Sequence, residues 1–170
     1  MFLCESHSES IMMYNVNMII NKKFLKIIKP ILTQLKNKIG DDFIVFGSVP
    51  LYLFGVINFD KSINDLDIAI KDKKVVPREA KEVTFQKNPN QKLYKFKIDN
   101  IEIDIGACWK GQESYFYKLF ENPIEVEGFK FANLEILEEW KKIMVKKYNR
   151  EKDKIFLKKI REYKLNPKDE

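Results

Sequence analysis

The run "NDLDIAI" constrains this chain more than any other stretch, because it sets two aspartates one residue apart inside an apolar segment. Asp65 and Asp67 alternate with Leu66, Ile68 and Ile70, so a strand here turns both carboxylates to one face, roughly 6 to 7 Å apart along it. Two like charges that close repel, and something must make the arrangement tolerable. A second strand, "IEIDIG", repeats the pattern, with Glu102 and Asp104 on one face and Ile101, Ile103 and Ile105 on the other. It follows "LYKFKI" through Asp99-Asn100, a two-residue pair suited to a tight hairpin. If the two acidic strands are neighbours, about 4.8 Å apart, three or four carboxylates converge. Magnesium, a hard ion held by carboxylate and phosphate oxygens, is then the natural counter-charge, and two ions roughly 3.5 to 4 Å apart can serve an in-line displacement at phosphorus.

The anion side of such a site is offered by "VFGS". Gly47 lets the backbone come close to a phosphate, and Ser48 presents a hydroxyl at the start of a short helix opened by Pro50. Around this motif the periodicities predict an α+β (α/β) domain, a short mixed sheet flanked by helices with the acidic site on its open face. A helix is expected over residues 22 to 39, with Pro30 tending to kink it, then a strand at 43 to 46. Further strands are expected near 82 to 86 and as a minor pair in "PIEVEGFKF", and a short helix over 113 to 120. Leu134, Leu137, Trp140, Met144 and Tyr148 form one stripe of a helix starting at Asn133, and a last helix covers about 150 to 163. Residues 1–21 read as a loosely ordered leader, 22–130 as the core, and 131–170 as helices packed on the same domain.

Composition adds exclusions. The chain has 170 residues and a formal charge of +6, enough length for one domain with a real core. The basic excess favours anionic partners but is spread out and carries little weight. His7 is the only histidine, which excludes serine-histidine hydrolases and histidine-rich metal sites, so any metal must use oxygen ligands. Cys4 and Cys108 lack zinc-ligand spacing and imply a reduced, cytoplasmic protein in which Cys108 is a packing residue. No stretch reaches the apolar length of a membrane span, and no Walker-type loop or dinucleotide fingerprint is present. Trp109, Tyr115, Phe116 and Tyr117 read as core or groove wall in preference to base-stacking residues.

With "VFGS", "NDLDIAI" and "IEIDIG" in this order, the chain resembles the nucleotidyltransferase superfamily that shares its core with DNA polymerase beta, in its small single-domain form. The interval between Ser48 and Asp65 is more like that of lincosamide-modifying and abortive-infection-type members than that of the compact antitoxin-type enzymes. In those groups a lysine, an arginine and Lys-Asp follow on successive helices, and Lys146, Arg150, Lys152 and Asp153 match that order. The resemblance covers about residues 43 to 157. It implies that Asp65, Asp67 and Asp104 hold two magnesium ions, with Asp104 also activating the acceptor hydroxyl. It further implies that Gly47, Ser48, Lys146, Arg150, Lys152 and Asp153 bind the nucleotide. The implied reaction moves a nucleoside monophosphate, AMP from ATP, to a hydroxyl of a small molecule, protein or RNA, with no DNA sequence readout. The alternative is a catalytically silent nucleotide- or RNA-binding module of the same fold. Four-residue spacing would put Lys142, Lys146 and Arg150 on one helix face, with Lys141 pointing elsewhere, although a lysine-rich helix can also be only a solvated face.

Overall fold

The computed structural model describes residues 18–60, 62–85 and 88–166, so Cys4, His7, most of the leader and Gln86 lie outside the described residues. The chain order is α1 (Lys22–Ile39), β1 (Phe43–Phe46), α2 (Val49–Leu53), β2 (Asp65–Ile70), β3 (Lys81–Phe85), β4 (Asn88–Ile98), β5 (Ile101–Gly106), α3 (Glu113–Lys118), β6 (Ile124–Val126), β7 (Phe129–Phe131), α4 (Leu134–Tyr148) and α5 (Glu151–Leu165). The protein is an α+β domain built on one seven-stranded mixed sheet in the order β3-β4-β5-β2-β1-β7-β6. β2 runs parallel to β5 and β1 parallel to β7, while the remaining pairs are antiparallel.

Strand alternation divides the sheet into a greasy face and a chemical face. Leu66, Ile103 and Phe96 share one rung of the first, and α1 covers it with Phe24, Ile28, Leu32 and Leu35, all essentially inaccessible to solvent. The amphipathic spacing of α1 is the reason it lies there, and Lys38 from its last turn sits 6.0 Å over the Phe96 ring. Pro30 does not interrupt α1. Both Pro30 and Lys26, whose carbonyl loses its partner, are exposed, so water can take over that bond.

The leader expectation needs correction at its end. Met18 and Ile20 pack against the core, while Asn21 caps α1 through its side chain (3.1 Å to the Phe24 amide) and donates its own amide to the Leu53 carbonyl at 2.8 Å. Cys108 is also corrected: it is exposed with φ +57°, a turn residue that lets Trp109 fold back under the sheet. Trp109 stacks on Trp140 at 4.8 Å and lies edge-on to Phe46 at 5.2 Å, and Tyr115 stacks on Trp140 at 4.8 Å. Trp109, Tyr115 and Phe116 are therefore core, whereas Tyr117 is about half exposed. That aromatic stack joins α3 and α4 to the sheet beside Phe46 of β1 and Gly106 at the end of β5.

No helix among the described residues is long and apolar enough to cross a membrane.

Candidate active site

β2 and β5 pair in parallel with Asp65 opposite Glu102 and Asp67 opposite Asp104. Two acidic strands thereby become one block of carboxylates on the face turned away from α1. The register is fixed by what lies behind it, since a slip of one residue would turn fully buried Leu66, Ile68, Ile103 and Ile105 toward the open face.

The block is electrostatically loaded. Burial, with added repulsion from Asp65 and Asp104, pushes Asp67 up to about 7, against the pull of Lys141 and Lys152. Asp104 is raised as well, chiefly by burial, although Lys95 draws it the other way. Lys95 stands opposite Asp104 on β4, and its Nζ donates to Asp104 Oδ2 at 2.9 Å and to Glu102 Oε1 at 2.6 Å. Asp104 Oδ1 is buried without a hydrogen-bond partner among the described residues. Lys95 is absent from the residues expected in the site, although the Asp99-Asn100 hairpin aligns Lys95 and Lys97 with the acids of β5.

Gly47 is required by packing. Its φ is +77°, and a Cβ there would lie 2.1 Å from Asp67 Oδ2, so only glycine leaves room for that carboxylate. Gly47→Ala should cost about 2–4 kcal/mol from left-handed strain and overpacking together. Chemical denaturation of the variant checks this, and a loss below about 1 kcal/mol would show that Asp67 does not pack on the turn as described. Ser48 precedes α2 without capping it through its side chain, which leaves the hydroxyl uncommitted to the helix.

The C-terminal helices contribute differently from expectation. A cavity of about 190 Å³ is lined by Gly47, Ser48, Asp65, Asp67 and Asp104 on the sheet side and by Lys141, Arg150 and Lys152 opposite, with Trp109, Trp140, Met144 and Phe156 as apolar wall. Lys141, expected to point elsewhere, is buried in this wall, bonded to Asp153 at 2.8 Å, and near enough to Asp67 to feel its charge. Burial holds the Lys141 ammonium below its ordinary range, with Asp153 and Asp67 opposing. Asp153 does not line the cavity. It is fully buried behind it, tying down Lys141 and, at 3.1 Å, the Arg150 Nε.

The common face for Lys142, Lys146 and Arg150 does not exist. α4 ends at Asn149 in a left-handed conformation, and Arg150 occupies the cap position of α5. Lys146 is exposed on α4 away from the cavity, and Lys142 pairs with Glu138 at 2.7 Å. Two larger clefts, about 610 and 420 Å³, share Gly55, Ile57, Asn58 and Tyr163, and neither includes any residue of the acidic block.

The donor set of the block consists of carboxylate oxygens alone and includes one buried, unpartnered oxygen at Asp104, which suits a hard divalent cation. Among the described residues no group of three or more acidic, histidine or cysteine side chains stands as a finished metal cage, and a lysine holds the second oxygen of Asp104. What the fold and site define is an α+β domain whose sheet presents an acidic strand pair to a basic helical wall. In comparisons with protein-family models, curated proteins and solved structures, none gives a significant match to this chain.

Proposed function

We propose that this protein is a magnesium-dependent nucleotidyltransferase of the superfamily sharing its core with DNA polymerase beta, moving AMP from ATP to an acceptor hydroxyl with release of pyrophosphate. The observation that carries the reading is the parallel register that sets Asp67 against Asp104 beside Asp65, the three facing Lys141, Arg150 and Lys152 across one cavity. A nucleoside triphosphate with its cations needs both kinds of wall, carboxylates for metal and ammonium or guanidinium groups for phosphate oxygens. Because the cavity is smaller than the roughly 300–1,000 Å³ of most ligand sites, the triphosphate end fits it and the nucleoside lies toward the open face.

Magnesium held by Asp65, Asp67 and Asp104 would supply charge neutralisation and alignment for the displacement at phosphorus. Lys141, anchored by Asp153, together with Arg150 and Lys152, neutralises the non-bridging oxygens from the opposite side. Gly47 and Ser48 close the turn end of the cavity beside them. Asp104 serves in addition as the base that takes the proton of the acceptor hydroxyl. The hydroxyl oxygen then bonds to the α-phosphorus while the bond from that phosphorus to the α,β-bridging oxygen breaks, and pyrophosphate leaves. The setting we propose is the cytoplasm, in keeping with a free Cys108.

One observation favours the alternative of a silent nucleotide- or RNA-binding module: Lys95 already occupies an oxygen of Asp104. Incubation with α-labelled triphosphates and magnesium, against RNA, protein and small-molecule fractions, separates the two readings. Transfer of label with release of pyrophosphate is expected, and Asp104→Asn should lower it about tenfold or more with little change in nucleotide affinity. Metal-dependent binding without transfer to any fraction would favour the silent module, and equal turnover in Asp104→Asn would remove the role given to Asp104.

A further inference from the structure

The acidic block is neutralised unequally. On β5, Glu102 and Asp104 share the ammonium of Lys95, at 2.6 and 2.9 Å. On β2, neither Asp65 nor Asp67 forms an ion pair among the described residues. Lys95 is placed by antiparallel pairing directly across from Asp104, and its side chain is only 31% exposed, so solvent screens this contact less than a surface ion pair. The structure therefore contains a cation of its own within the carboxylate set, and a divalent ion bound to Asp104 would have to lie a few ångströms from that ammonium.

We propose, resting on the nucleotidyltransferase reading, that Lys95 is a built-in counter-ion of the site. It stabilises the β5 carboxylates in the metal-free protein and competes with the divalent cation for Asp104. Metal then binds weakly to the protein alone and well only together with a triphosphate, whose oxygens add ligands that outweigh the repulsion. Lys95 thus makes loading ordered, because metal and nucleotide enter as one unit. A second unpaired acid in its place would let the ion bind first.

The test follows Mn²⁺ binding by electron paramagnetic resonance, with and without the α,β-methylene analogue of ATP, and melting temperature in EDTA. Lys95→Met should bind Mn²⁺ about tenfold tighter or more than the unaltered protein in the absence of the analogue, the lower bound being what one unit charge exerts on a divalent ion several ångströms away at the dielectric of water. It should also melt lower in EDTA, and Lys95→Arg should behave as the unaltered protein in both respects. Should Lys95→Met fail to fold without metal, the pair Lys95→Met/Glu102→Gln against Glu102→Gln alone isolates the same charge, and the double variant should bind Mn²⁺ the more tightly. Equal or weaker Mn²⁺ binding on loss of Lys95, in a protein that binds Mn²⁺ with the analogue, would overturn this inference alone. Absence of any Mn²⁺ binding with the analogue in the unaltered protein would overturn the nucleotidyltransferase reading and this inference together.

Discussion

Asp67→Asn is expected to abolish nucleotidyl transfer, by about a hundredfold or more, while leaving the metal-free protein as stable as before or more so. The two effects have one origin. Asp67 lies between Asp65 and Asp104 in a partly buried block, and burial with their repulsion lifts it to about 7. In the unfolded chain the same group titrates near 3.8. The folded protein therefore holds the Asp67 proton more tightly, and this group's contribution to stability is greatest below about pH 4, falls as the pH rises toward 7, and is level above that. Asparagine removes the slope along with the charge. Denaturation curves at pH 5 and pH 8 check the first part and label transfer the second. A variant that is clearly less stable than the unaltered protein in EDTA, yet still binds metal and nucleotide and transfers label at the usual rate, would mean that the carboxylate is structural.

Lys141→Met is the second large effect, and it separates packing from ligand binding. Lys141 and Asp153 form a buried pair, with side chains 7% and 1% exposed, so removing the lysine leaves a buried carboxylate with only Arg150 beside it. The cost should be about 3 kcal/mol, within the range for breaking buried pairs. A purely apolar replacement of both partners, Lys141→Met with Asp153→Leu, should recover much of that stability, because the one charge left without its partner is Arg150, which at 34% exposed is in reach of water. Triphosphate binding should fall about tenfold or more in both variants and should not recover in the double one. If nucleotide affinity returned with stability, Lys141 would be only a packing residue, and the basic wall would reduce to Arg150 and Lys152.

Much of the fold was legible because the signals were local. The alternation in "DLDIAI" and "IEIDIG", the Asp99-Asn100 hairpin and the apolar stripes of α1 and α4 each place an element without knowledge of its neighbours. The convergence of Asp65, Asp67 and Asp104 was legible only conditionally, since the sequence does not state that β5 lies beside β2 in parallel. The basic side was misread for two physical reasons. Continuous helical spacing was assumed from Lys142 to Arg150, but Asn149 adopts a left-handed conformation that ends α4, a role for which asparagine is second only to glycine. Helical spacing alone points Lys141 away, yet the break after α4 folds α5 back so that Asp153 meets it. A lysine buried by tertiary packing has the same local pattern as a solvated one. Lys95 lay within reach, since a hairpin register can be counted, but only once an acidic strand is known to need a neighbour.

The carboxylates and the basic wall are proposed to form a single site for a metal-bound triphosphate. Isothermal titration of the α,β-methylene analogue of ATP into the protein, in magnesium and in EDTA, tests this most directly. Binding in magnesium, weakened about tenfold or more both in EDTA and in Asp67→Asn, is the result this account predicts. Binding of equal strength with and without magnesium, or no binding under either condition, would contradict it.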